Sequence, residues 1–223
     1  MKGKTDKSIL TRNLIYESAI KLFQTKGYDK STMRMISAKA KLSLGLTYYH
    51  FKSKEEIVLE FYKQTQIEAE KKCNEYFLTE KNLKSRIEFI ILFKFKQFYP
   101  YKNFLHILAK VSSDPSHPLS PFSKETSEIR NDAIGIFRNA LKENSEKYPK
   151  DFEEILPEIF WLYQMGTVFY WLIDESTDKK KSFKLVSISL ELIFQLFKLS
   201  KLPFTKTILK KIIELYKLVL NDK

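Results

Sequence analysis

Apolar residues recur at three- and four-residue intervals along almost the whole chain, and no stretch alternates as a half-buried strand would. The pattern predicts an all-α protein. A first helix over residues 8–26 carries Ile9, Leu14, Ile15, Ala19, Leu22 and Phe23 on one face, and Gly27 is placed to stop it. Ser31 or Thr32 caps a second, short helix in which Met33, Ile36 and Ala40 share a side. Lys41, Leu42 and Ser43 make a brief turn, and Ser43 caps a third helix over residues 44–51. Ser53 and Glu56 have the spacing of a capping box that opens a fourth. Longer helices follow over about 54–77, 82–99, 102–112, 123–147, 152–175, 182–200 and 204–221. They are separated by the proline-rich run from Asp114 to Pro121 and by a polar, lysine-rich loop from Asp174 to Lys181.

The boundary between short and long helices suggests two parts, residues 1–53 and residues 54–223, and charge sharpens the division. Residues 1–54 hold twelve basic side chains and three acids, an excess of nine, out of a net charge of +12 for all 223 residues. A local excess of this kind is the footprint of a nucleic-acid partner. Two short helices joined by a tight turn, behind a longer helix in that basic region, form a helix-turn-helix arrangement with the third helix as reader in the major groove. Gly45 lets the backbone approach DNA, Ser43 and Thr47 have hydroxyls for phosphate or base edges, and Lys52 and Lys54 add point charges. Leu44, Leu46, Thr47 and Tyr49 are the candidates for base-edge contacts.

The stretch STMRMISAKAKLSLGLTYYHFKSKEEIV resembles the signature of the TetR family of bacterial transcriptional regulators, over roughly residues 9–69 with its motif at 32–51. Thr32, Ala38, Leu42, Ser43, Gly45, Tyr48, His50, Phe51, Ser53, Lys54, Glu55 and Glu56 fall in register with it. The resemblance implies an N-terminal three-helix helix-turn-helix domain and a larger C-terminal helical domain for ligand binding and dimerisation. It implies Tyr48 and Lys54 on the DNA backbone, Thr32 anchoring the second helix to phosphate, residues 43–50 facing the groove, and Phe51 in the core. The full candidate DNA-facing set is Thr32, Met33, Ser43, Leu44, Gly45, Leu46, Thr47, Tyr48, Tyr49, His50, Lys52 and Lys54. Three positions depart from the family pattern: Lys41 replaces the turn glycine, Leu44 replaces a common lysine or arginine, and Thr47 replaces a core leucine or isoleucine.

In the larger part, IFWLYQMGTVFYWLI (159–173) is apolar nearly all round, and LVSISLELIFQLFKL (185–199) leaves little polar surface, so both helices need cover from outside their own domain. They are the candidate dimer helices. A two-fold dimer expects a palindromic operator in double-stranded DNA. Phe89, Phe93, Phe104, His106, Trp161, Tyr163, Phe169 and Tyr170 are candidates to line a pocket for a small hydrophobic effector.

Other chemistries lack their signatures. His50, His106 and His117 show no metal-ligand spacing, and Cys73 is the single cysteine, so no metal, cofactor or internal disulfide is expected. No phosphate loop, nucleophile elbow or paired-carboxylate motif marks an enzyme. The N-terminal lysines precede no apolar signal region, and 159–173 is interrupted by Gln164, Gly166 and Thr167 and falls short of a membrane span, which points to a cytoplasmic protein without a membrane segment. The reading from another class is a peripheral membrane or partner-binding protein that uses basic amphipathic segments such as TKTILKKIIELYKLVL.

Overall fold

The computed structural model describes residues 6–145, 148 and 152–199, with isolated positions at 207, 211, 214, 215 and 218. Every regular element among the described residues is helical: α1 (Asp6–Lys26), α2 (Met33–Ala40), α3 (Leu44–His50), α4 (Lys54–Phe77), α5 (Leu83–Phe98), α6 (Lys102–Val111), α7 (Ser127–Ala140), α8 (Leu156–Ile173) and α9 (Lys180–Leu199). The expected helix over 204–221, with its basic amphipathic segment, lies almost entirely outside the described residues.

The described residues fall into two compact units, and the division is not the one expected at residue 53. Residues up to 68 and from 97 to 131 form the first, while 69–96 and those from 132 onward form the second. The physical reason is that the first half of α4 buries Ile57, Val58 and Phe61 among its own unit's residues instead of beginning a separate domain. Phe61 meets Phe104 edge to face at 5.5 Å, and Phe104 stacks on Phe23 of α1 at 5.4 Å. The three rings join α1, α4 and α6, and each is worth about 1.5–3 kcal/mol of burial.

Within the first unit α1 ends where its periodicity predicts. Gly27 donates to the Phe23 carbonyl at 3.1 Å and has φ 85°, and a Cβ there would stand 3.3 Å from Ile107 Cδ1, so glycine suits the position twice over. Thr65 and Gln66 are buried on α4, and Tyr62 donates to the Leu119 carbonyl at 3.4 Å. The proline-rich segment is held by hydroxyls: Ser123 donates to the Pro118 carbonyl at 2.9 Å and Thr126 to the Ser120 carbonyl at 2.7 Å. These bonds occupy residues that the periodicity assigns to the next helix, which therefore begins at Ser127 instead of 123.

In the second unit the expected helix over 123–147 stops at Ala140, and Glu143 takes a left-handed φ of 48°. Arg86 is buried beside that stop, donating to the carbonyls of Phe77, Glu80, Ala140 and Lys142 at 2.6–3.0 Å. Its guanidinium thereby satisfies carbonyls that the ends of α4 and α7 leave without helical partners. At the other end of the unit α8 stops at Ile173, because Asp174 turns away to cap the following loop. Its carboxylate accepts from the Ser176 and Ser182 backbone N–H groups at 2.9 and 2.8 Å and from the Ser182 hydroxyl at 2.6 Å. Burial raises its affinity for a proton, but these serine bonds outweigh it and hold Asp174 well below the usual carboxylate range. Buried Cys73 has its thiol pushed up to about 12 by desolvation, which the nearby Lys94 charge only partly opposes.

Candidate nucleic-acid interface

The turn between α2 and α3 is built from backbone bonds. Lys41 donates to the Ala38 carbonyl at 3.1 Å and Leu42 to that of Ser37 at 3.0 Å, the paired bonds of a Schellman motif. Lys41 has φ 56° and ψ 39°, so a lysine holds the left-handed position that family resemblance assigns to glycine. The conformation costs a non-glycine residue about 1–2 kcal/mol, which the two backbone bonds help to offset. Thr32 caps α2 by accepting from Met35 N–H at 3.2 Å, and Ser43 caps α3 by accepting from Leu46 N–H at 3.2 Å. Each hydroxyl still has its own hydrogen to donate outward, as a phosphate oxygen would require.

Helix geometry then sorts the sequence candidates by side. Ser43, Gly45, Leu46, Tyr48 and Tyr49 are exposed, Tyr49 to 72%. A Cβ added to Gly45 would meet nothing within 4 Å, so the fold itself does not require a glycine there. Thr32 and Lys52 are exposed and Leu44 is half-buried. Lys54 is also half-buried. It donates to the Tyr28 carbonyl at 2.9 Å, and its ammonium lies 4.3 Å from the Tyr28 ring centroid.

Three candidates face the wrong way, correcting the sequence reading. Thr47 is 0% exposed and donates to the Ser43 carbonyl at 3.1 Å, so it packs where the family keeps a large apolar residue and reads no base in this conformation. Met33 and His50 are buried as well, one under the start of α2 and one at the end of α3. Both point inward because α2 packs against α1 and α3 packs against α2. Phe51 is fully buried beside them.

Sequence reading missed the side chains that hold this surface in place. Arg12 of α1 donates to the His50 carbonyl at 2.5 Å and to the Glu60 carboxylate at 2.9 Å, and its guanidinium lies 3.9 Å from the Phe51 ring centroid. One residue thus ties the C-terminal end of α3 to α4. Burial raises the Glu60 pKa, but the Arg12 bond and charge more than reverse it and the carboxylate titrates low. Tyr28 donates to Glu55 at 2.6 Å, and Lys54 joins the same cluster, fixing the start of α4. Burial and the Glu55 bond push the Tyr28 phenol far up, while Glu55, although partly buried, is lowered by that same bond. The partners of Arg12 lie 38 and 48 residues away, beyond the reach of local patterning.

The candidate effector residues are divided between the two units. Phe104 belongs to the first unit's core, and His106 and Phe169 are exposed. In the second unit Phe89 stacks between Tyr76 at 4.1 Å and Phe93 at 5.9 Å. Trp161 is buried, Tyr163 shares a 2.5 Å bond with the Ser189 hydroxyl, and Tyr170 is half-buried. Among the described residues no His, Cys, Asp or Glu cluster could hold a metal ion, and no helix is long and apolar enough to cross a membrane.

Residues 15–61 match the bacterial regulatory protein tetR family, and residues 86–218 match the tetracyclin repressor-like C-terminal domain. The chain belongs to the TetR family. This TetR protein is 29% identical over 164 residues to the HTH-type transcriptional regulator YerO of Bacillus subtilis, a match covering 70% of this chain and 55% of YerO. The chain thus spans little more than half the length of that curated relative. Among solved structures, a TerR/AcrR-family regulator from Aquifex aeolicus matches at 25% identity and TM-score 0.58, covering 82% of this chain and 99% of that one. FadR of Bacillus subtilis, solved with stearoyl-CoA, shares the fold at TM-score 0.63 and 20% identity over 82% of this chain and 97% of its own. The TetR chain thus has a helix-turn-helix domain followed by a C-terminal helical domain, and its described elements are all helical.

Proposed function

We propose that this regulator is a homodimeric repressor that binds a palindromic operator in double-stranded DNA and leaves it when a small hydrophobic effector binds. The observation that carries the DNA half is the outer side of α3, where Ser43, Gly45, Leu46, Tyr48 and Tyr49 stand exposed on a capped helix anchored by Arg12. Tyr48, Lys52, Lys54 and Thr32 contact phosphates, and Leu46 and Tyr49 reach base edges, with leucine suited to a thymine methyl. In this role the protein works in the cytoplasm, beside the DNA.

The dimer half rests on α9. Its buried side is Ser182, Val186, Leu190 and Phe194, yet Leu185, Ile188, Leu192, Leu196 and Leu199 form a second apolar stripe on its exposed side. Phe169 and Ile173 of α8 are exposed too. A soluble regulator does not leave such a stripe in water, and a second copy of the chain is its natural cover. The paired recognition helices then address half-sites about one DNA turn, roughly 34–36 Å, or somewhat more apart.

The ligand-bound relative supports the effector half: a protein of this fold holds stearoyl-CoA. Selection of binding duplexes from a random pool by the full chain tests the whole reading. A palindromic consensus is expected; binding that ignores sequence, or a consensus without two-fold symmetry, rules the proposal out.

A further inference from the structure

The buried stripe of α8 runs through Phe160, Gln164, Thr167, Val168 and Trp171. At one end Phe160 stacks on Phe137 of α7 at 6.1 Å, and at the other Trp171 stacks on Phe95 of α5 at 5.6 Å. Gln164 stands between these ring pairs and faces the interior of the second unit. Its Nε2 is buried and has no acceptor. The Thr167 hydroxyl donates to the main-chain carbonyl of Gln164 at 2.9 Å, and its oxygen makes no bond with the amide nitrogen. Leaving an amide donor unmet in such surroundings costs folding stability that methionine, of the same length, would not lose.

We propose that Gln164 is the polar anchor of a ligand site in the second unit, and that its ligand is an apolar molecule ending in a hydrogen-bond acceptor, a carbonyl or carboxylate oxygen. The inference rests on the effector reading above and narrows it to a chemical class. The class follows from the atom: the carboxamide nitrogen donates and does not accept, so an ammonium end, with no lone pair to offer, leaves it unpaired. The flanking rings of Phe160, Trp171, Phe137 and Phe95 supply an apolar surface for the remainder. A site with one fixed donor in apolar surroundings selects ligands by the presence of an acceptor, because a ligand without one leaves the donor unpaired.

The experiment compares 2-decanone with decane, two neutral probes of equal length that differ in one acceptor, on the full chain and on Gln164→Met. Binding is read by displacement of a hydrophobic fluorescent dye, and stability by thermal unfolding. Gln164→Met is expected to weaken 2-decanone by roughly three- to tenfold, the range of one neutral hydrogen bond, to leave decane unchanged, and to raise the unfolding midpoint. If both probes bind with a ratio unaltered by the substitution, the nitrogen is an unmet donor or holds a trapped water only, and the anchor is overturned while the effector reading stands. If Gln164→Met fails to fold, the amide serves the fold and the inference falls. If neither probe binds the unaltered chain, inference and effector reading fall together.

Discussion

Lys41 and Thr47 show how one position's environment decides its part in DNA binding. At Lys41 a side chain sits in a left-handed turn, so Lys41→Gly is expected to stabilise the fold by up to about 1 kcal/mol, less whatever the more flexible glycine gains when unfolded. Denaturant titration of the two proteins measures this. Thr47 is enclosed and its hydroxyl is already used, so Thr47→Val is expected to leave the selected operator consensus unchanged, whereas Tyr49→Ala changes it. A shifted consensus for Thr47→Val would return that residue to the groove. Sequence patterning located these residues to within a turn of helix but not their orientation. In a helix of seven residues, periodicity offers too few repeats to separate the inner face from the outer.

At the scale of elements, the early helices were the most legible: capping residues Thr32, Ser43 and Ser53 marked their starts, and α1 and α4 begin within two residues of expectation. The ends of α7 and α8 were less so. They depend on Arg86, on Asp174 and on the hydroxyls around Ser120, whose partners are set by tertiary approach. Arg12 is the clearest example, for nothing local marks it as the tie between α3 and α4. Replacing it by methionine removes the donor to the His50 carbonyl and the ion pair with Glu60, which keeps its bond from Gln64. Arg12→Met is expected to cost about 1–3 kcal/mol of stability and to weaken all DNA sites alike, as fluorescence anisotropy at fixed salt would report. Binding that changes for some operators and not for others would mean Arg12 touches DNA itself. On α9, Ile188 and Leu192 are 50% and 55% exposed, so replacing both with glutamate spares the monomer's core while placing like charges on the apolar stripe. Sedimentation is expected to show a folded monomer, and a persistent dimer would move the interface elsewhere.

For the molecule as a whole, alkaline pH is the condition that tests its buried acids. Cys73 is held protonated up to about pH 12 in the folded chain, and burial raises the Tyr16 and Tyr28 phenols too. Because these folded-state values lie above the unfolded ones, the unfolded chain releases its protons first. Stability is therefore full below the unfolded values and declines as pH rises through roughly 9 to 12. Denaturant midpoints across that range should fall, and Cys73→Ala should fall less steeply than the unaltered chain. The open space around Gly45 separates two demands that usually coincide. Since nothing in the fold crowds that position, Gly45→Ala gains helix propensity, on the order of 1 kcal/mol, while its methyl stands where the DNA backbone would approach. A cell carrying this variant would accumulate at least as much of the regulator yet control its operator less well, a phenotype of abundance without silencing.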